Sequence, residues 1–384
     1  MRDAVIVEAV RTPIGKRNGS LKGWHPVDLS GHVLQALAAR TGIDPAVVDD
    51  VVWGCVTQTG EQGFNIGRNA VLAAGWPESV PGTSVDRQCG SSQQALHFVA
   101  AGVMSGQYEV AVAGGVEAMS RVPMGATAAP GMPFGPKVME RYNVVFNQGI
   151  GAEMIAERWG FTRRQIDEFS LASHEKAAVA IDDGRFRDQI VPVPVTDEDG
   201  TQRTFDTDEG VRRGGTVEAL GALKTPFKPD GVVTAGNSSQ ISDGAAALLV
   251  TTSEKAAELG LRPLVRFHTG VLAADDPIIM LTAPMPATRK ALQRSGLSLD
   301  EIGAFEVNEA FAPVPMAWLV DIGAEEKTLN PNGGAVALGH PLGGSGAQIL
   351  TRLVHHMRDN DIRYGLQTMC EGGGMANATI LELI

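Results

Sequence analysis

The feature that most constrains the fold of this chain is a regular alternation of short apolar runs with amphipathic segments. Residues 4–10 form an apolar run typical of a buried strand, and Leu29, Val33 and Leu37 then recur at helical spacing until Gly42. Such alternation is typical of β-sheets covered by helices, which puts the chain in the α/β class. With 384 residues, 43% of them hydrophobic, the chain can fill two or three domains with apolar cores.

Local patterns predict where several elements begin and end. Residues 109–113 predict a buried strand that ends in a tight turn at the glycine pair 114–115. Residues 162–165 have the capping-box pattern that opens a helix, and residues 298–301 repeat it ahead of a strand at 304–307.

The middle of the chain differs from both ends. Residues 120–160 predict loops, and residues 189–230 are charged and again irregular. We therefore interpret residues 120–238 as an insertion, which is too long for a simple loop and must have structure of its own. The prolines behind the loop prediction are Pro123, Pro130, Pro133 and Pro136.

The last third of the chain is similar in outline to the first. Small residues at 89–92 open a helix that leads to the run 109–113 and a glycine pair. Small residues at 343–346 open a helix that leads to residues 367–369 and three glycines. The repeat predicts an internally duplicated fold with an insertion between its halves.

Charge and cysteine content exclude several functions. A net charge of −12 disfavours nucleic-acid binding, and it would repel a polyanionic cofactor unless a cationic patch offset the field. Three cysteines neither form a disulfide framework nor stand at zinc-ligand spacing. No apolar run is long enough to span a membrane, and the N-terminus does not resemble a signal peptide. We expect a cytoplasmic protein with no metal and no membrane partner. The best candidate for a cationic patch is Arg203, Arg212, Arg213, Lys224 and Lys228, although such a run by itself is more often a solvated surface.

Cys89 is the candidate nucleophile. It stands just before a helical run, where the helix dipole and free backbone N–H groups favour a thiolate, although many lone cysteines are merely small core residues. His340 lies among so many glycines that a site is a better expectation than a core position, and it could take the thiol proton. Cys370 and Asn308 also stand at strand ends beside small residues, and the glycine turn at Gly372 offers backbone amides to an oxyanion. Together these residues predict a site at the carboxyl edge of the sheets.

With these motifs in order along the whole chain, the sequence resembles the thiolase family. The resemblance implies a duplicated α/β fold, with two mixed-sheet halves in an αβαβα arrangement plus an inserted loop domain that binds coenzyme A. It implies a first half at residues 1–119 with 239–263, a loop domain at 120–238 and a second half at 264–384. The motifs that carry it are the segments 87–91, 308–312, 332–335, 339–341 and 370–374.

The resemblance also implies a mechanism. Cys89, its proton passed to His340, attacks a 3-ketoacyl-CoA, acetyl-CoA leaves as its enolate, and Cys370 supplies a proton before coenzyme A releases the acyl group. His340 and a water held by Asn308 would form one oxyanion hole, and the backbone N–H groups of Cys89 and Gly372 a second. By the same resemblance Arg212 contacts the nucleotide end of coenzyme A and Ser239 the pantetheine arm. Coenzyme A would be a substrate, with no prosthetic group bound.

One departure from the family pattern bears on the substrate. Short-chain members carry His-Met-Gly on the loop that lines the acyl pocket, whereas this chain has Asn147, Gln148 and Gly149. The change favours a degradative enzyme with a longer or bulkier acyl group, unless Met280 or another loop residue fills the space. Milder departures are Ser92 where a glycine is common, Gln348 in place of an arginine, and Ala376 in place of a glycine.

Other classes stay open at this point. A short-chain acetyl-CoA acetyltransferase working in the biosynthetic direction has the same reacting groups. A decarboxylating ketoacyl synthase would lack a second cysteine such as Cys370, and a silent lipid-binding protein of this fold should have lost Cys89, His340 or Cys370. The resemblance implies a homo-oligomer, dimer or tetramer, with tetramer contacts expected to differ around residues 123–139.

Overall fold

The computed structural model describes residues 2–128 and 131–384, so Pro130 of the loop prediction lies outside the described residues. The strands are β1 Val5–Arg11, β2 Gly15–Lys16, β3 Asp50–Gly54, β4 Gly82–Val85, β5 Val110–Ala118, β6 Val193–Thr196, β7 Gln202–Phe205, β8 Ser242–Thr251, β9 Val265–Ala274, β10 Ala304–Val307, β11 Tyr364–Glu371 and β12 Met375–Leu383. The helices are α1 Pro26–Thr41, α2 Ile66–Ala73, α3 Ser91–Ser105, α4 Pro136–Tyr142, α5 Gln148–Trp159, α6 Arg163–Asp182, α7 Val217–Gly221, α8 Ser253–Glu258, α9 Pro284–Ser295, α10 Pro313–Ile322, α11 Ala335–Leu338 and α12 Leu342–Asp359.

The large sheet consists of two halves with the same strand order. The first half runs β4-β3-β5-β8-β1, and the second runs β10-β11-β12-β9. In each half a parallel pair, β3–β5 or β10–β11, is followed by two antiparallel pairs. A parallel bridge between Phe305 and Leu329 stands where β4 stands in the first half. The halves meet where β1 pairs with β9 at Val5 and Ile6, and this repeat confirms the predicted duplication.

The layers follow from which helices cover which face. Helices α3 and α12 pack against each other and against strands of both halves, so they form a central layer. Helices α1 and α2 cover the outer face of the first half, while α9 and α10 lie on the outer side of the second. The order is therefore helix, sheet, helix, sheet, helix, as the family resemblance implied.

The prediction of a turn at the glycine pair 114–115 was wrong, because β5 continues through both residues to Ala118. A Cβ on Gly114 would come within 2.3 Å of the Trp53 ring, and one on Gly115 within 2.5 Å of the Gly343 carbonyl oxygen. These glycines are needed for close packing, with α12 approaching β5 at Gly115, and not for a change of chain direction.

The prediction of loops over residues 120–160 was wrong in its second part, which contains α4 and α5. Pro136 occupies the first turn of α4, where its missing N–H costs nothing, so a proline there is compatible with a helix. Residues 189–230 contain the short hairpin β6–β7 and α7. The two capping boxes were predicted correctly: Thr162 opens α6, and Ser298 opens a single 3₁₀ turn ahead of β10.

A buried ion pair ties the inserted segment to β1. Arg11 donates from two nitrogens to the two carboxylate oxygens of Asp208, at 2.7 and 2.9 Å, and both side chains are fully buried. Asp208 also accepts from the backbone N–H of Ile14 at 2.7 Å. Because every charge is satisfied by a partner, the pair fixes the chain just before residues 210–214.

Candidate active site

Cys89 lies in the tight connection between β4 and α3. Gly90 is the N-cap of α3, and Gln88 has a left-handed φ of +49°, which a non-glycine residue adopts only when its neighbours hold it. Ser91 supplies that hold, since its hydroxyl accepts from the Arg87 N–H at 2.9 Å and donates to the Gln88 carbonyl at 2.6 Å. The loop therefore presents Cys89 in a single braced conformation.

The resting Cys89 thiol is protonated. Burial raises its pKa to about 12, an ionised Glu371 adds to the rise, and a hydrogen bond from the Gln148 side chain opposes it. The expectation that the helix N-terminus would favour a thiolate is thus outweighed by the loss of solvent around a sulfur that is only 4% exposed. Nucleophilic attack from this site requires a base.

His340 has the form that a base needs. The Ser345 hydroxyl donates its single proton to the Pro341 carbonyl at 2.9 Å, so the His340 Nδ1–H, 2.6 Å away, is the donor to Ser345 Oγ. The other ring nitrogen, Nε2, then carries no proton and presents its lone pair towards Asn308 Nδ2, 3.4 Å away. Burial lowers the pKa of His340 to about 4, which keeps the ring neutral at physiological pH.

Asn308 stands against the same ring nitrogen. Its Nδ2 lies 3.4 Å from His340 Nε2, and its buried Oδ1 has no hydrogen-bond partner within the described part of the chain. The neighbouring Glu309 holds the loop in place, accepting from Ser173 at 2.7 Å and from Asn330 at 2.9 Å. The structure therefore brings together Asn308 and His340 as the sequence predicted, with an amide oxygen free for a further partner.

Cys370 is the second thiol of the site. It is fully buried near the end of β11, and its pKa is raised well above the ordinary value by burial and then by charge on Cys89. The next residue, Glu371, packs against Gly90, so the end of β11 lies beside the Cys89 loop. Gly372 follows in the turn to β12 and packs beside Gln88, so the Gly372 turn adjoins the Cys89 loop.

Two cavities reach this centre and share Gln88, Thr127 and Gln148 as common wall. The first, of about 510 Å³, includes Cys89 in its lining. The second, of about 740 Å³, includes Gly372 and has an aromatic wall in which Phe134 and Tyr142 meet Phe146 edge to face, with ring centroids 5.0 and 5.4 Å apart. Met280 and Gln148 line this second cavity together.

Ser239 lies beside the loops that carry Asn308 and His340, whereas the predicted basic patch is partly neutralised by ion pairs. The Ser239 N–H donates to the Ala310 carbonyl at 2.9 Å, and the next residue, Gln240, accepts from the His340 N–H at 3.2 Å. Arg212 is exposed and its backbone N–H donates to His174 at 3.1 Å. Three of the other four basic residues are held in ion pairs: Arg203 with Asp197, Arg213 with Asp182 and Lys228 with Glu157. The fourth is Lys224.

Sequence reasoning missed three supporting residues. Ser345 was noted only as part of a glycine-rich run, although its place five residues after His340 in a helical first turn was a usable signal. Glu117 accepts from the backbone N–H groups of Val56 and Gly343 at 3.0 and 2.8 Å, so it joins the first turn of α12 to the loop after β3. Ser92 joins the two central helices by accepting from the Ala347 N–H at 2.8 Å. The contacts of Glu117 and of Ser92 each join residues that are far apart in the sequence.

Within residues 2–128 and 131–384 no cluster of three or more His, Cys, Asp or Glu side chains is arranged to hold a metal ion. Over the same residues, no helix has both the length and the apolarity needed to cross a membrane.

Two family models divide the chain between them. The thiolase N-terminal domain matches residues 4–254, and the thiolase C-terminal domain matches residues 261–383. The chain belongs to the thiolase family. It is accordingly an acyltransferase of the thiolase type, with the duplicated fold described above.

Named relatives support the same membership over the full length. The chain is 48% identical to a steroid 3-ketoacyl-CoA thiolase, FadA6, of Mycobacterium tuberculosis, covering all of this chain and 94% of the relative. It is 44% identical to a 3-ketoacyl-CoA thiolase of Photobacterium profundum, with all of both chains covered. The crystal structure of the Bacillus anthracis acetyl-CoA acetyltransferase superposes with a TM-score of 0.93 at 39% identity, covering all of this chain and 99% of that one.

Proposed function

We propose that this thiolase works in the degradative direction, cleaving a 3-ketoacyl-CoA with coenzyme A into acetyl-CoA and a shortened acyl-CoA. Cys89 is the nucleophile. The observation that supports this most directly is that two buried thiols and a neutral histidine with an unprotonated Nε2 converge. Glu371, next to Cys370, packs against Gly90, and Leu342, two residues after His340, lines the same cavity as Cys89. A thiolase reaction needs one thiol to carry the acyl group, a base for that thiol, and a second acid for the departing enolate.

In the first half-reaction the Cys89 proton passes to His340 Nε2 as the sulfur attacks the substrate ketone. The bond between the ketone carbon and the neighbouring carbon then breaks, and the electron pair leaves on acetyl-CoA as its enolate. Cys370 protonates that enolate carbon. Because the pKa of Cys89 lies far above neutrality and that of His340 far below it, proton transfer accompanies attack and does not precede it.

In the second half-reaction coenzyme A attacks the acyl-Cys89 carbonyl. Its thiol proton passes to Cys370, and the returning Cys89 sulfur regains a proton from His340. We assign the enolate oxygen of acetyl-CoA to His340 and a water held by the free oxygen of Asn308. The oxyanion on the carbon bonded to Cys89 is assigned to the backbone N–H groups of Cys89 and Gly372. The first half-reaction leaves a proton on His340 and a thiolate on Cys370, and the second returns both groups to their starting states.

The acyl group is proposed to occupy the cavity of about 740 Å³, whose apolar and aromatic wall includes Phe134, Val138 and Phe146. Such a cavity suits a long or ring-bearing acyl group better than the methyl group of acetoacetyl-CoA. The steroid thiolase among the relatives is consistent with a bulky acyl group. Met280 lines this cavity without filling it.

A second candidate is a short-chain acetyl-CoA acetyltransferase, favoured by the similarity to the Bacillus anthracis enzyme. A third, a silent lipid-binding protein of this fold, is disfavoured because Cys89, His340 and Cys370 are all present.

Thiolysis kinetics separate these candidates. The assay compares acetoacetyl-CoA, a long-chain 3-ketoacyl-CoA and a ring-bearing 3-ketoacyl-CoA on the wild type and on Cys89→Ala. We expect kcat/KM to be highest for a long or ring-bearing substrate and to vanish with Cys89→Ala. A sharp preference for acetoacetyl-CoA would favour the second candidate, and equal inactivity of both proteins on every substrate would favour the third.

We further propose that coenzyme A binds across the inserted segment, with Ser239 beside the pantetheine arm and Arg212 near the phosphates. The exposed side chain of Arg212 and the position of Ser239 next to the His340 loop support this placement. We also propose a cytoplasmic homo-oligomer, either a dimer or a tetramer.

A further inference from the structure

Glu371 is a buried acid that the proposed mechanism does not use. It is the last residue of β11, directly between Cys370 and Gly372, and it is fully buried. Neither of its carboxylate oxygens has a hydrogen-bond partner among the residues that the structure describes. An ionised carboxylate in such a place would lack both water and a counter-charge, which is strongly unfavourable.

The surroundings of Glu371 favour a proton on it. Its Oε1 is so near Gly90 that a Cβ there would lie only 2.0 Å away, and the Asn377 Oδ1 would lie 2.7 Å from the same point. The Asn377 amide donates to Gln94 at 3.1 Å, which directs its Oδ1 towards Gly90, and that oxygen also lacks a partner in the described part of the chain. Two acceptors without donors therefore lie beside Gly90, and a protonated Glu371 would supply a donor at that place.

The charged and titratable groups around Glu371 come from two elements. The loop before α3 contributes Asp86, Arg87 and Cys89, and β11 contributes Cys370. Arg87 and then the nearby Asn377 N–H favour the ionised form of Glu371, while Asp86 disfavours it. The Arg87 guanidinium lies 3.8 Å from the Met375 sulfur and makes no ion pair with Glu371 within the described residues. No opposite charge is therefore in contact to hold a carboxylate here.

We propose that Glu371 is a positioning residue that works as a neutral carboxylic acid, and that its ionisation switches off the two-thiol centre. The proposal rests on the proposed function of Cys89, Cys370 and Gly372. A negative charge on Glu371 would oppose negative charge on both sulfurs and on an oxyanion held between Cys89 and Gly372. While Glu371 keeps its proton, these three charges can develop.

The ionisation falls in an accessible pH range. Burial raises the pKa of Glu371 to about 8, and its charge would raise the pKa of both Cys89 and Cys370. A carboxyl with a raised pKa is neutral below that value and charged above it. Thiolysis should therefore decline above about pH 8. In an ordinary thiol site, by contrast, the thiolate fraction would rise over the same pH range.

The test is Glu371→Gln, which keeps the shape, cannot ionise, and supplies a donor as the protonated acid does. Thiolysis is measured from about pH 6 to about pH 10 for the wild type and the variant with the same substrate, so that ionisation of the substrate cancels in the ratio. We expect the variant to keep its activity at neutral pH and to lose the alkaline decline. Asp86→Asn removes a nearby acid that does not flank Cys370, and it should retain the decline but move it to lower pH, because Asp86 disfavours ionisation of Glu371.

A second readout does not depend on turnover. Iodoacetamide alkylation of Cys89, followed by mass spectrometry at each pH, reports its thiolate fraction. Without the Glu371 charge the pKa of Cys89 should fall, and alkylation at alkaline pH should become about tenfold faster. If thermal melting shows that Glu371→Gln is not folded, Glu371→Leu removes the charge with a different shape and takes its place.

The outcomes separate this inference from the proposed function. If Cys89→Ala is inactive but wild type and Glu371→Gln have superimposable pH profiles and alkylation rates, Glu371 has no electrostatic role and the inference is overturned. If Cys89→Ala retains thiolysis, the proposed function itself fails, whatever Glu371 does. An unshifted Glu371→Leu profile would overturn the inference in the same way.

Discussion

Ser345 offers a sharp test of how His340 acts as a base. In Ser345→Ala the buried His340 Nδ1–H loses the hydroxyl oxygen 2.6 Å away that accepts from it. A buried N–H left without a partner costs about 1–3 kcal/mol. The ring can avoid that cost by carrying its proton on Nε2, but that tautomer cannot accept the Cys89 proton.

The size of the effect follows from that cost. Destabilising the competent tautomer by about 1–3 kcal/mol lowers kcat/KM by about five- to 150-fold. The assay is steady-state thiolysis with a saturating range of 3-ketoacyl-CoA, with His340→Ala marking the full loss of the base. The protein fold should be unaffected, which circular dichroism and thermal melting would check.

The matched control is Thr351→Val, because Thr351 also donates a buried side-chain hydroxyl to the carbonyl four residues earlier in the same helix, at 2.8 Å. Thr351→Val loses the same kind of hydrogen bond from a side-chain hydroxyl to the helix backbone, and it leaves the hydrogen bonds of His340 unchanged. We expect its kcat/KM to stay near the wild-type value. If Ser345→Ala kept activity within about twofold while His340→Ala was inactive, the tautomer reasoning would be refuted.

Three further predictions concern specificity, stability and the second thiol. Gln148→Met introduces the residue that short-chain family members have at this place in the shared cavity wall. The ratio of kcat/KM for acetoacetyl-CoA to that for a long-chain substrate should rise by about tenfold. If that ratio did not change, Gln148 would not be part of the acyl pocket. Asp208→Ala leaves Arg11 buried without its partner and should lower the free energy of unfolding by about 3–5 kcal/mol in urea denaturation, whereas Asp182→Ala, which breaks an exposed ion pair, should change it little. Cys370→Ala should still form the acyl-enzyme in a stopped reaction but lower turnover by about 10²–10⁴-fold, and normal turnover would assign the second acid elsewhere.

The reacting groups of the site could be predicted from the sequence because local chemistry marks them. Cys89 precedes a helix of small residues, and His340 and Cys370 lie beside glycine turns, so each motif contains its own signal. The start of α6 was predictable for the same reason, since Thr162 and Gln165 make their capping hydrogen bonds within four residues. The roles of these residues in the reaction stay predictions that the assays above address.

Features that depend on contacts between distant segments were not predictable. Gly114 and Gly115 suggested a turn, but they serve close packing against Trp53 and α12, which only the fold brings near. The basic residues 203–228 suggested one patch, yet Arg213 and Lys228 pair with acids of the distant helices α6 and α5. Glu371 gave no signal at all, because its lack of partners is visible only once β11, β12 and the Cys89 loop are assembled.

The most direct test of the central claim is to trap the acyl-enzyme. The protein is mixed with a long-chain 3-ketoacyl-CoA in the absence of free coenzyme A, quenched in acid, digested and examined by mass spectrometry. We predict that the peptide containing Cys89 carries the shortened acyl group, that acetyl-CoA is released in equal amount, and that added coenzyme A removes the label. An unlabelled Cys89 with acetyl-CoA still released, or an acyl group found on Cys370, would contradict the account.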